Sequence, residues 1–262
     1  IRLEGNALLK RAGDHDFRIE AESDKLAFTL SYGNEADNTE NIPDIKQTFE
    51  SSIRGWCSFW ETGGIVKLSN SNDKRAFELE RRIILSQYQL KVHCCGSLPP
   101  QETGLFCNSW HGKFHLEMHP WHQAYLPLWN QSKLLIPSID WYLDILPKAR
   151  ANAERNGFLG AKWPKQVAYD GIDSPSPIAT LLIWQQPHII YMLELIYNYL
   201  KVHDIGINEY SKENFLVKYW TLVKETADYM ADLVVYNKET DRFDLVPPVI
   251  PAQEAHDPKN TL

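Results

Sequence analysis

The sequence lacks the features that would direct it to a nucleic acid or through a membrane. Its 27 Lys and Arg against 34 Asp and Glu leave a formal charge of −7, the wrong sign for the basic stripe that a phosphate backbone requires. No apolar run approaches the ~20 residues needed to cross a bilayer, and the N-terminal stretch has no basic–apolar–small signal pattern. Cysteine is sparse. Cys57, Cys94, Cys95 and Cys107 form no Cys-x-x-Cys pair and no zinc-ribbon spacing, so they are expected as buried small apolar side chains, and they leave the compartment open. The chain opens on Ile1 within what reads as an ongoing sequence, which raises the expectation of a removed targeting peptide or of a segment cut from something longer.

What is abundant is aromatic. Nine tryptophans and twelve tyrosines offer core-filling surface, and tryptophan also offers a flat face for a sugar ring with one N–H to satisfy. The densest stretch is WHGKFHLEMHPWHQ, Trp110 to Gln123. His111, Lys113, His115, Glu117 and His119 alternate with Phe114, Leu116 and Met118. In an extended segment this alternation separates a titratable face from an apolar one. Pro120 then suits the first turn of a helix. From residue types alone, the stretch reads as a metal site, as a structural polar seam, or as a wall that meets sugar hydroxyls with donors and acceptors. The His/Glu spacing matches no zinc pattern.

Around that stretch the chain alternates helices with long loops. DFRIEAESDKLAFTLSYG carries two short alternating runs about a polar turn. Ile45, Phe49, Ile53, Trp56 and Trp60 recur at helical spacing up to Gly63-Gly64, and a second helix runs to Gly96 with Phe77, Ile83, Ile84, Tyr88 and Val92 as its apolar positions. One helix is expected over SIDWYLDILPKARANAERNG, ending at Gly157, and a buried one over PHIIYMLELIYNYLKVH. A further amphipathic helix carries Leu216, Trp220, Val223, Ala227 and Met230. GAKWPKQVAYDGIDSPSP and the final KETDRFDLVPPVIPAQEAHDPKNTL are expected as loops. Ordered loops this long usually carry function.

From about Arg75 onward the chain resembles the first half of an (α/α)6-barrel catalytic domain of the six-hairpin glycosidase superfamily, most closely glycoside hydrolase family 65 and its relatives. ELERRIILSQYQLKVHCCG resembles the first barrel helix. WHGKFHLEMHPWHQAYLPLWN resembles the segment that places an acid in the sugar subsite. The Asn156-Gly157 turn followed by Gly160-Ala161-Lys162-Trp163-Pro164 resembles the family's most specific piece, and DRFDLVPPVIPAQEAHDPKNT resembles the loop of the general acid. The resemblance puts the general acid on Glu254, where Gln253 and Ala255 stand in place of the family's usual acid and tyrosine. It puts the subsite acid on Glu117, where the family more often has Trp-Asp.

The expected fold is therefore mainly α: the end of a β-sandwich domain over 1–44, a linker helix and loop over 45–74, and the N-terminal half of an (α/α)6 toroid over 75–262. About half of the barrel's helices are present, so a large exposed apolar face is expected, together with a partner in the rest of the same polypeptide. The implied activity is hydrolysis of a glycosidic bond in an oligosaccharide or glycoside, with inversion. One protonated carboxyl, Glu254, would donate to the leaving oxygen, and a base outside this chain would activate water. The residues expected to bind substrate are Trp110, Lys113, His115, Glu117, Trp163, Gln185, Gln186 and His188. Gln185 and Gln186 have the alternative of capping a helix, and Lys162 and Lys165 are expected as solvated surface lysines. No metal and no cofactor is expected. The other readings are a phosphorylase of the same fold and a non-catalytic carbohydrate-binding protein. The resemblance implies a periplasmic or secreted location.

Overall fold

Asn6 organises the first of the two units into which the chain divides, Ile1–Gly63 and Gly64–Leu262. The computed structural model describes residues 1–31, 42–174, 178–203, 211–246 and 248–252. In the first unit, β1 (Arg2–Gly5) pairs antiparallel with β4 (Phe28–Ser31), and β2 (Ala7–Arg11) with β3 (Phe17–Ala21). The two alternating runs of the sequence are thus β3 and β4, but each pairs with an earlier strand rather than with the other. Between the two pairs, the Asn6 side chain donates to Lys25 O and Ser23 Oγ and accepts from Ala27 N at 2.7 Å. These bonds serve main-chain groups where the ladders break.

Helix α1 (Ile45–Thr62) starts at a capping box. Asp44 Oδ1 accepts from Gln47 N at 2.8 Å and Gln47 Oε1 accepts from Asp44 N at 3.0 Å, which satisfies two otherwise orphaned donors. Gly63 ends the helix, as its sequence predicts. The unit boundary falls within the 45–74 span expected as linker, and α1 belongs with the strands. Of the apolar stripe, Trp56 and Trp60 are half-buried around the buried Phe59, while Phe49 and Ile53 are exposed.

The second unit is mainly helical. α2 spans Ala76–Cys94, and a single 3-10 turn at Trp110–Gly112 leads to β5 (Phe114–His115). α3 (His119–Gln123) follows, with Pro120 in its first turn as expected, then α4 (Tyr125–Leu128). The single helix predicted to end at Gly157 is in fact two, α5 (Ser132–Asp144) and α6 (Leu146–Arg155). Pro147, in the first turn of α6, accounts for the break, because it has no N–H to donate to Leu143 O and its ring clashes with that carbonyl. β6 (Gln166–Val167) pairs antiparallel with β5 inside the segment predicted as loop.

α7 (His188–His203) and α8 (Lys212–Asp232) pack together over the core, and a hairpin joins β7 (Val234–Asn237), in the last residues of the stretch predicted as helix, to β8 (Arg242–Leu245), inside the predicted C-terminal loop. The core gathers Leu126, Ile139, Tyr142, Met192, Ile196 and Leu222 from these helices and Trp163 from the extended segment between α6 and β6. α7 buries one face, Ile189, Met192, Leu193, Ile196 and Leu200, rather than its whole circumference, and leaves Tyr191 and Val202 exposed. The buried stripe of α8 is Phe215, Tyr219, Leu222, Thr226 and Tyr229, one residue round from the predicted one, so Leu216 and Trp220 face outward. Phe77, Ile84, Tyr88 and Val92 of α2 are exposed as well. All four cysteines are free; Cys94 is buried and Cys95 half-buried, but Cys57 and Cys107 are exposed, against expectation.

A row of polar groups crosses this core. His119 Nδ1 lies 3.1 Å from Tyr142 Oη, and its Nε2 lies 3.0 Å from both Gln123 Oε1 and Ser138 Oγ. Gln123 Nε2 donates to Cys94 O at the end of α2. A neutral imidazole protonated on Nε2 accepts from Tyr142 and donates to Gln123, so both nitrogens are satisfied without a charge. Burial pushes the His119 pKa down to about 3, and burial also lowers those of His122 and His188.

These depressed values predict acid lability. The unfolded chain takes up protons near pH 6.5 that the folded chain refuses. The His119 contribution to stability is therefore complete above about pH 6.5 and is lost progressively as the pH falls toward 3, and the burial of His122 and His188 acts in the same direction. Urea unfolding at pH 7 and pH 5 measures the slope, and His119→Gln should flatten it. The same slope in the variant would show that His119 titrates normally.

Candidate functional site

Two neighbouring backbones bring the site together. Leu116 N donates to Lys165 O at 2.9 Å, and His115 faces Gln166 across the β5–β6 pair. This register sets Lys165 against Glu117, and Lys165 Nζ lies 3.0 Å from Glu117 Oε1. The same oxygen lies 3.2 Å from His115 Nε2. Gln166 Nε2 stands 3.3 Å from that imidazole nitrogen. His115, Glu117 and Lys165 are all buried, with Lys165 only 5% exposed. The alternation predicted for Trp110–Gln123 survives over a short distance only. His115 and Glu117 share a side, whereas His119 enters α3 and points into the core row.

Trp110 completes the cluster from outside. Its residue is 52% exposed and its ring lies over Lys165 Nζ, 5.9 Å from the ring centroid, and 6.2 Å from the His115 ring. A cation against an aromatic face is attracted by the ring quadrupole. The backbone that presents it is strained: Trp110 and His111 have φ of 49° and 59°, followed by Gly112 at 71°. The left-handed region costs a residue with a side chain about 1–2 kcal/mol, and such strain clusters at functional sites. The Trp110 indole N–H donates to Glu102 Oε2.

The electrostatics give Glu117 a fixed state. Burial raises its pKa, but hydrogen bonds from His115 and Lys165, reinforced by the Lys165 charge, outweigh burial and hold the carboxyl below its usual range. It is an ionised acceptor at neutral pH. Both contacts fall on Oε1. His188 joins at longer range, its Nδ1 lying 3.3 Å from Leu116 O and its ring sensing the Glu117 charge. Lys113 is half-buried beside β5.

The other residues selected from the sequence are placed apart from this cluster. Trp163 is 1% exposed; its indole N–H donates to Thr226 Oγ1 at 2.8 Å, and its ring meets Tyr142 edge-on. Gln186 Oε1 accepts from Trp163 N at 2.9 Å, and Gln185 and Gln186 each donate to Trp163 O at 3.0 and 2.8 Å. The two amides clamp a main chain, and neither caps α7. Gln185 Oε1 is buried without a partner among the described residues. Glu254 lies outside the described residues.

Lys165 and Gln166 were not selected from the sequence, and Lys165 corrects the expectation of a solvated surface lysine. Lys162 corrects it too, buried with its Nζ donating to Asn156 Oδ1 at 2.9 Å and Thr180 O at 2.7 Å. The available signal was their position on either side of Trp163-Pro164, where the flanking chain is extended. Among the described residues, no three His, Cys, Asp or Glu side chains converge as a metal-binding group, and no helix is long and apolar enough to cross a membrane.

The chain matches no protein-family model and no curated protein sequence. The site's chemistry therefore stands on its geometry: an ionised carboxylate fixed by two donors, beside an exposed aromatic face.

Removing Lys165 tests that geometry. Lys165→Met leaves a buried carboxylate with His115 alone. The Glu117 pKa should rise, and stability should fall by about 3–5 kcal/mol, the usual effect of breaking a buried pair. Carbon NMR titration of the carboxyl and denaturant unfolding measure both effects. The double variant Lys165→Met/Glu117→Leu should recover much of the loss, since it leaves no unpaired charge. An unchanged Glu117 titration in Lys165→Met would remove Lys165 from the site.

Proposed function

We propose that the protein hydrolyses a glycosidic bond, with Glu117 as a sugar-binding carboxylate and Glu254 as the general acid. The observation that carries the saccharide part is the Glu117–His115–Lys165 cluster beneath Trp110. A sugar ring has hydroxyls that need strong acceptors at its rim and C–H faces that pack on an aromatic ring. Glu117 supplies the acceptor in one protonation state, and Trp110 supplies the face. The lowered pKa also divides the labour. A carboxyl held ionised by Lys165 and His115 cannot deliver a proton to a leaving oxygen, so the acid has to come from elsewhere.

That role falls to Glu254 through the resemblance of PAQEAH to the general-acid loop of the six-hairpin glycosidases. The same resemblance supports reading residues 75–262 as part of an (α/α)6 toroid that acts with inversion. The exposed apolar faces of α2 and α8 agree with it, as surfaces on which further helices of a barrel would pack.

The test is reducing-sugar release by the intact protein from α- and β-linked glycans, with and without phosphate. Glu254→Gln should lower kcat by ~10²–10⁴-fold, the range for loss of a general acid, and leave substrate binding in place. Glu117→Gln should raise KM as well as lower kcat/KM. Near-normal turnover by Glu254→Gln would remove it as the acid, and turnover only with phosphate would make the enzyme a phosphorylase. Glycan binding without turnover would leave a carbohydrate receptor.

A further inference from the structure

The β7–β8 hairpin carries more apolar surface than two strands can cover. Its register sets Val234 opposite Leu245 and Tyr236 opposite Phe243, and directly opposed residues of an antiparallel pair share a face. These four side chains therefore form one apolar face, with the Tyr236 and Phe243 rings 5.3 Å apart. Tyr236, Phe243 and Leu245 are all exposed, Phe243 at 68%. The other face holds the charges. There Arg242 Nε lies 2.7 Å from Asp244 Oδ1, and Asn237 Nδ2 donates to Asp244 Oδ2 at 2.8 Å. An isolated pair of strands is marginal in water, and further strands around an apolar face are the usual remedy. Among the described residues no third strand joins this sheet, so no strand lies along the outer edge of β8. Such an edge is a template for pairing with another chain.

The charges on β8 select its partner. When a strand pairs antiparallel with a copy of itself, each residue faces the one equally far beyond the centre. Centred on Phe243, Arg242-Phe243-Asp244 sets Arg242 against the partner's Asp244, Asp244 against the partner's Arg242, and ring against ring. Centring on Arg242 or on Asp244 instead opposes like charges. A slip of one residue puts Phe243 against Asp244 and joins the apolar face of one copy to the charged face of the other. One register alone thus matches both charge and face. We propose that the protein forms a two-fold dimer through β8, in which two hairpins join as one four-stranded antiparallel sheet, β7–β8–β8–β7. The Tyr236–Phe243 row then continues across the axis, and on the opposite face the two Arg242–Asp244 pairs close a ring of four alternating charges. A two-fold strand pair is isologous, so it uses the β8 edge of both copies and closes at two. Only one short strand is shared, so the interface is small, below ~1,200 Å² in total, and the dimer is of the transient, concentration-dependent kind. The inference is independent of the saccharide reading.

Sedimentation velocity of the intact protein from about 1 µM to about 1 mM covers the weak range of affinities and should show a monomer–dimer equilibrium. Arg242→Asp leaves two acids facing two acids across the axis, and Asp244→Arg leaves two cations facing two cations. Each variant alone, with its melting temperature measured alongside, should dimerise about tenfold or more weakly than the parent, since like charges directly opposed are repulsive. An equimolar mixture of the two variants restores opposite charges at both positions and should regain dimers. A role of either residue confined to its own hairpin cannot produce that rescue. Phe243→Ala, which keeps both charges, should weaken the dimer as well. A monomer at every concentration would overturn the proposal. Dimers indifferent to both charge variants, or a mixture as weak as its components, would overturn β8 as the surface and move the contact elsewhere, as to the exposed faces of α2 and α8.

Discussion

Gln185 and Gln186 reach from the turn before α7 to the main chain at Trp163, and between them they satisfy both its N–H and its C=O. The same stretch of chain is tied at Ala161 to Glu225 O, at Lys162 to Ala149 O and at Lys165 to Leu116 N. An extended segment inside a helical unit has no ladder to use along most of its length, so each of its polar groups must be answered by something else. Here α6, α8 and Leu116, next to β5, each answer one, and the turn before α7 answers two. Once the segment is held, Trp163 fills the core, and Lys165 and Gln166 face His115 and Glu117. The site is thus built on the same backbone that packs the centre of the unit, the kind of rigid support that a binding geometry needs.

The interior handles its titratable groups in two ways. His119 is satisfied as a neutral ring between Tyr142 and Gln123, with no ion to desolvate. Glu117 and Lys165 stay charged and depend on each other. A buried ion pair contributes little net stability, because desolvation offsets attraction. Keeping one therefore makes sense where the charge has a use, and the exposed Trp110 ring beside it marks that place. The strained Trp110–His111 turn agrees: a position that works against backbone preference persists where something else over-determines it.

Local chemistry in the sequence located several features and tertiary context overrode others. Gly63 ends α1 and Pro120 starts α3 as their backbone properties predict, whereas the Asp44–Gln47 capping box was not among the readings of the sequence. Pro147 carried a signal for the break between α5 and α6 that the apolar period across it masked. In α8 both stripes, Phe215–Tyr219–Leu222 and Leu216–Trp220–Val223, are apolar at helical spacing. Periodicity shows that a face exists, but only the neighbours decide which face is covered. β7 and β8 were hidden by a charged turn, although Val-Val-Tyr and Arg-Phe-Asp-Leu flank it as strand-like runs. In the site, the His115–Glu117 pairing follows from their period-two spacing. The arrival of Lys165 depends on a β5–β6 register between residues about fifty positions apart, which no local pattern encodes. Trp163 was expected against the substrate, and it is 1% exposed in the core with its indole N–H on Thr226.

The turn at Gly160 runs so close to α8 that even one carbon has no room. A β-carbon there would sit 2.2 Å from Glu225 O and 2.5 Å from Tyr229 N, on a backbone with φ of 75°. Both obstacles are main-chain atoms of a helix, which cannot swing aside as a side chain can. This position is closed to drift: neighbouring residues can be exchanged as the lineage diverges, but any side chain here must displace a whole helix. Gly160 therefore ties the divergence of two distant stretches of sequence together, since neither the turn nor α8 can shift unless the other shifts with it.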